Sequence, residues 1–250
     1  MPVLKLRDAE IHYLEFGSGY PLVLFAPGGM RSAMNMWWAE KSPSGAPRAW
    51  NNWTEDLASE YRVIAMDQRN AGASVGAIEA DHGWHTYAAD HLALLDHLGI
   101  EQCHVLGVCI GPSFCMKLLE TAPERVNAMV LQNPIGLNPE HPTYFPDGFV
   151  AWADDLSAGR PELDRDAVQS FGENMWGKDF VYSVDRDFVR AIDHPALVMP
   201  GDDTPHPAVI GLEVADILPG AERLMDWKGP GHAGVQGKRV AEFLAHHTPG

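Results

Sequence analysis

Residues 103–112 read Cys-His-Val-Leu-Gly-Val-Cys-Ile-Gly-Pro. The first six have the short apolar pattern of a buried strand, and a helical pattern follows over 110–122. Between the two, Gly107 and Gly111 flank one nucleophilic side chain, Cys109, at a strand-to-helix turn. Glycine at both positions lets the backbone turn sharply and lets strand and helix approach closely. Such a turn lifts the central side chain off the C-terminal edge of the sheet into a strained, exposed position. Pro112 fits the first helical turn, where no intrahelical N–H bond is lost.

Working outward, strands are expected at 3–7, 10–16, 21–26, 61–66, 103–108, 126–132, 196–200 and 222–227. Helical patterns are expected near 53–60 and at 86–98, 110–122, 207–218 and 235–247, with Gly99 a natural stop for the second. A hairpin followed by alternating strands and helices predicts an α/β fold: a mostly parallel, doubly wound sheet of about eight strands with helices on both faces. Residues 21–26, Pro-Leu-Val-Leu-Phe-Ala, are apolar almost throughout, as strands covered on both faces must be. Two stretches break the rhythm. Residues 27–53 form a Gly/Pro/Trp/Met-rich excursion, and residues 133–194 carry several weak helical patterns. The second reads as a small helical cap inserted into a single domain spanning 1–250.

The 250 residues suit one domain with one core. Lys+Arg 18 against Asp+Glu 34 gives a net charge of −16, which would repel phosphate backbones, so a nucleic-acid partner is not expected. No 18-residue apolar run and no basic-then-apolar leader is present, so neither a membrane span nor a secretory signal is expected. Three cysteines, odd in number and clustered at 103, 109 and 115, argue against a disulfide framework and for a reduced, cytoplasmic setting. Cys103 and Cys115 read as small apolar core groups. His82, His85, His91, His97 and His104 lack the accompanying spacings of a metal site, and neither a metal nor a cofactor is expected.

Four motifs in order resemble the α/β-hydrolase superfamily, with cysteine in its nucleophile elbow. Gly107-Val108-Cys109-Ile110-Gly111 resembles the elbow G-x-S-x-G, with Cys109 in place of serine. Pro27-Gly28-Gly29-Met30 after the third strand is similar to the His-Gly-x oxyanion loop, with proline for histidine. Asp67-Gln68-Arg69-Asn70-Ala71-Gly72-Ala73-Ser74 resembles D-x-R-G-x-G-x-S, with Asn70 in a glycine position, and Asp67 with Arg69 reads as a salt-bridged turn. Gly201-Asp202-Asp203 follows the seventh strand, where the family carries its acid; Gly231-His232-Ala233 follows the eighth, where it carries its histidine.

The resemblance implies a triad of Cys109, His232 and Asp203, with Asp202 competing for the acid role, and oxyanion donors at the backbone N–H groups of Gly29 and Ile110. His206 either caps the following helix or faces the pocket, and the structural role is preferred. A cysteine at a helix N-terminus is favoured as thiolate by the dipole and by a nearby imidazole. The expected chemistry is hydrolysis of a small ester, lactone or thioester through an acyl-cysteine. Acyl transfer or a biosynthetic thioesterase on the same triad, and a non-catalytic ligand-binding member of the fold, are the alternatives. The expected partner is a small-molecule substrate with an apolar part. Trp37, Trp38, Trp50, Trp53, Trp152 and Trp176 lie in the two segments that should roof the site, as core or as pocket lining.

Overall fold

The sheet follows the expected alternation of apolar strands. The strands are β1 Val3–Lys5, β2 Ala9–Phe16, β3 Tyr20–Phe25, β4 Tyr61–Met66, β5 Val75–Gly76, β6 Cys103–Val108, β7 Val126–Gln132, β8 Ala196–Met199 and β9 Glu222–Arg223. They lie in the order β1-β2-β4-β3-β6-β7-β8-β9, with the two-residue β5 on the edge of β2. The pairs involving β2 are antiparallel, and those from β4 through β9 are parallel. The computed structural model describes residues 1–41, 45, 47–48, 50–229 and 231–250. Residues 42–44, 46 and 49 of the Gly/Pro/Trp/Met-rich excursion lie outside the described residues.

Helices α1 Trp53–Asp56, α2 Trp84–His97, α3 Gly111–Thr121, α7 Ala208–Ile217 and α8 Ala233–His247 flank the sheet. Between β7 and β8 come α4 Tyr144–Gly159, α5 Arg165–Trp176 and α6 Arg186–Ala191. Helix α2 ends where Gly99 takes φ 64°, a conformation open to glycine without steric cost. Two apolar clusters sandwich the sheet: one gathers Phe25, Val105, Phe114 and the cap aromatics, the other Leu24, Leu106, Trp53 and Phe243. Among the described residues no helix is long and apolar enough to cross a membrane.

Two expected elements are shorter than their sequence patterns. The helix near 53–60 stops at Asp56, because Leu57 O accepts from Glu60 N and Tyr61 N and turns the chain into β4. The strand expected over 222–227 pairs only at Glu222–Arg223. Its neighbour β8 ends at Met199, and Trp227 leaves the sheet to bury its ring, donating Nε1–H to Pro200 O at 2.9 Å.

Side-chain bonds tie the segment between β7 and β8 to the body. Arg31, beside the loop after β3, pairs with Asp155 of α4. Arg160 Nη1 donates to Asn70 Oδ1 and Gly76 O, both at 3.0 Å. Asn138 Nδ2 donates to Thr204 O at 3.0 Å, joining the start of the cap to the turn after β8.

Candidate active site

Cys109 sits at the C-terminal end of β6 with φ 65°, one of five described non-glycine residues with positive φ. A side chain in this region costs roughly 1–2 kcal/mol relative to helical or extended backbone. Its own backbone bonds hold it there: Cys109 N donates to Gln132 O at 3.1 Å, and Cys109 O accepts from Ile135 N at 3.3 Å. The flanking glycines are sterically required. A Cβ on Gly107 would lie 2.2 Å from the Gly111 carbonyl carbon, and one on Gly111 would lie 2.4 Å from Phe25 O. The thiol is therefore presented at the N-terminus of α3, partly exposed, while Cys103 and Cys115 are buried.

The three thiols diverge for physical reasons. Burial pushes Cys103 up to about 12 and Cys115 well above its ordinary value. Burial acts the same way on Cys109, but it is outweighed by the charge and hydrogen bonding of His206 and by the N–H groups of Gly28 and Ile110. The net effect is a thiol held below its ordinary value.

The imidazole that bears on Cys109 is that of His206. It belongs to the turn after β8, three residues beyond Asp203. His206 Nδ1 lies 2.5 Å from Asp203 Oδ1, and His206 N donates to the same oxygen at 3.1 Å. Asp203 N to His206 O and His206 N to Asp203 O close the turn at 3.3 and 3.1 Å. Pro205 and Pro207 bracket the histidine and restrict its backbone. With Nδ1 committed to the carboxylate, Nε2 is enclosed and has no hydrogen bond of ordinary length and angle. The Cys109 thiol is the group outside its own turn that acts on the ring.

Burial alone would depress His206; the Cys109 thiolate and Asp203 overcome it and push the imidazole up to about 9. Burial would raise Asp203, but His206 and Lys228 hold it down at about 2. The sulfur, the imidazole and the carboxylate thus stand in a row in which the thiol is drawn toward its anion and the imidazole toward its cation.

The structure thus brings together Cys109 and Asp203, but seats His206 rather than His232 between them. His232 immediately precedes α8, and its Nδ1 lies 2.6 Å from Lys228 O. Asp202 is exposed and pairs with Lys228 instead of an imidazole. Of the loop donors, Gly28 N–H bears on the sulfur together with Ile110 N–H. Gly29, with φ 59°, has open space beside its Cα. The signal for His206 was present in Asp-Asp-Thr-Pro-His-Pro, where an acid and a base three residues apart share one turn.

Other sequence expectations resolve into structure. Asp67 and Arg69 do not pair with each other. Asp67 accepts from Met34 N and Ala73 N, both at 2.8 Å, while Arg69 bridges Asp90 and Asp8. Asn70 has φ 61°, a left-handed conformation that asparagine tolerates where the family motif has glycine. His91 packs against Phe25, its ring centroid 4.4 Å away, and burial pushes it down to about 3; His104 bonds Thr248 and is pushed down to about 4. Among the described residues no group of three or more His, Cys, Asp or Glu is placed to hold a metal.

Trp37, Trp50, Trp53, Trp152 and Trp176 are buried, while Trp38 is exposed. Between β7 and β8, Phe145 stacks on Trp176 at 5.1 Å and meets Tyr182 edge-on. Tyr144 is exposed, its hydroxyl pushed up by burial and then by the negative charges of Cys109 and Asp203. A cavity of about 800 Å³ lies between α4 and α5, lined by Phe149, Val150, Val168 and Trp176 among others; the Cys109–His206 pair is not part of its wall.

Known proteins share this architecture. The family model described as alpha/beta hydrolase fold matches residues 21–192. A putative carbamate hydrolase RutD from Azorhizobium caulinodans is 31% identical over 133 residues, 53% of this chain and 44% of that protein. The chain spans 32% to 44% of the length of four of the curated relatives it matches. A hydrolase from Pseudomonas aeruginosa PA01 superposes with TM-score 0.70 at 22% identity, covering 97% of both chains. The enol-lactonase from Burkholderia xenovorans LB400 superposes with TM-score 0.65 at 20% identity, covering 98% of this chain and 100% of that one. With the family model covering well over half of its length, and with the sheet order and elbow found above, this chain belongs to the α/β hydrolase fold family.

Proposed function

We propose that the protein hydrolyses a small ester, lactone or thioester through an acyl-cysteine intermediate, with Cys109 as nucleophile, His206 as acid and base, and Asp203 as the group that orients the imidazole. The observation that carries this reading is the Cys109 thiol on its strained turn, flanked by an imidazole whose far nitrogen is bonded to a carboxylate at 2.5 Å. The names of relatives, a putative carbamate hydrolase and an enol-lactonase, point to attack on an activated carbonyl. The aromatic cap around Phe145, Trp176 and Tyr182 supports a substrate with an apolar part.

The steps balance without a cofactor. The Cys109 thiolate adds to the carbonyl carbon, and the developing oxyanion is met by backbone N–H groups at the elbow and the loop after β3, Ile110 with Gly28 or Gly29. As the tetrahedral intermediate collapses, His206 Nε2–H gives its proton to the departing oxygen or sulfur, leaving an acyl-thioester and a neutral imidazole. That imidazole then takes a proton from water as the hydroxyl adds to the thioester carbon. Collapse expels the Cys109 thiolate, releases the acid and restores the imidazolium.

Intact-mass spectrometry after exposure to a panel of activated esters, lactones and thioesters tests this. A transient acyl adduct should map to Cys109 and be absent from Cys109→Ala, together with turnover. Hydrolysis persisting in Cys109→Ala would overturn the reading, and ester products from added alcohols would redirect it to acyl transfer.

A further inference from the structure

The loop after β9 brings a second charged group to the site. Lys228 follows the buried Trp227, and its ammonium lies over that indole, 5.3 Å from the ring centroid. It contacts Asp202 Oδ1 and lies 3.3 Å from Asp203 Oδ2, with its side chain only 21% exposed. Asp203 Oδ1 is already taken by the ring and backbone of His206. Each oxygen of the carboxylate therefore has its own partner, and the plane of the group is set from two sides.

Resting on the triad reading above, we propose that Lys228 is a positioning residue of this site: it clamps Asp203 Oδ2 so that Oδ1 stays aimed at His206, and it balances the charge of two adjacent carboxylates. The loop that carries His232 thus serves the site through a lysine. His232 contributes indirectly, its ring holding the Lys228 carbonyl at 2.6 Å. The charged or titratable groups facing Asp203 and His206 are Asp202 in their own turn, Cys109 from the elbow, Tyr144 from α4 and Lys228 from the loop after β9.

The sign of the effect follows from this set. A cation near Asp203 offsets part of the negative charge that the imidazole feels. Without it the imidazolium is more stable, and His206 releases its proton at higher pH. Water activation on the acyl-enzyme needs a neutral imidazole, so the acid limb of turnover moves to higher pH. The clamp and the charge act together: it favours a geometry in which the base is oriented yet still releasable.

The test is a ¹⁵N NMR titration of the His206 ring in a Cys109→Ser background, where no thiolate contributes, with the resonance assigned by His206→Asn. In Lys228→Met and Lys228→Gln the proton-dissociation constant should fall about threefold or more, a shift of about half a pH unit. Lys228→Arg should restore the parent titration. In the Cys109 enzyme, Lys228→Met should lower kcat at pH 6 about threefold more than at pH 9, with KM changed less than about twofold. Coinciding titration curves for the parent, Met and Gln variants would overturn the proposal while leaving His206 as base. Undiminished turnover in His206→Asn would instead overturn the base assignment on which it rests. Melting temperatures of the three lysine variants identify any that lose the fold, and the glutamine variant, which keeps a hydrogen-bonding end without the charge, carries the charge comparison.

Discussion

Replacing His206 by Asn, beside a parallel His232→Asn, puts the central assignment at risk. In the folded protein His206 is what overcomes the burial of Cys109: its charge and hydrogen bond are the largest of the influences that favour the thiolate. Once it is gone, only the N–H groups of Gly28 and Ile110 oppose burial, and the thiol moves back up toward the range of an ordinary cysteine. At pH 7 such a thiol is ionised to about one part in a hundred. Loss of the proton-transfer group costs about 10²–10⁴ in addition. The two losses overlap, because the same imidazole serves both, so kcat/KM should fall by about 10³-fold, or about 4 kcal/mol of transition-state stabilisation. His232→Asn removes only a ring bonded to the Lys228 carbonyl, and it should change kcat/KM by less than about threefold. Initial rates on an activated thioester give kcat/KM, and the rate of iodoacetamide capture at Cys109, followed by intact mass at pH 6.5, reports the thiolate separately. A collapse of both readouts in His232→Asn, with His206→Asn close to the parent, would refute the reasoning.

Three further outcomes follow from named contacts. Limited alkylation should modify Cys109 and spare Cys103 and Cys115, and its rate should fall off at lower pH than that of a free thiol, because His206 draws the Cys109 thiol toward its anion; peptide mapping over a pH series checks both. Gly107→Ala should cost about 3 kcal/mol or more in urea unfolding, since its Cβ would fall 2.2 Å from the Gly111 backbone, and neither chain segment is a side chain able to swing away. Arg69→Met should cost about 3–5 kcal/mol by the same assay, because it strands Asp90, whose side chain is 2% exposed; Arg69→Met with Asp90→Leu should recover part of that loss.

The sequence by itself determined the elbow and the sheet around it. Gly107-x-Cys109-x-Gly111 states a steric requirement that holds wherever such a turn is made: a positive φ for the middle residue and no Cβ on either side. Strand positions followed from apolar runs such as Leu22–Phe25, whose burial is a property of the run itself, while their order in the sheet came from the fold. Asn70 in a left-handed position is legible in the same way, since few residues tolerate that backbone. Which histidine bears on the thiol, and which cysteine is drawn toward its anion, depends on surroundings that exist only in the folded chain. His206 and His232 each follow a strand at the correct edge of the sheet. The proline-bracketed turn closed by Asp203 folds one ring inward, whereas β9 ends after two paired residues and leaves the other on its own loop carbonyl. Cys103, Cys109 and Cys115 differ only in what surrounds each sulfur. At one of them the charge and hydrogen bond of a distant residue, with two backbone N–H groups, together outweigh desolvation, and spacing along the chain carries no record of that arrangement.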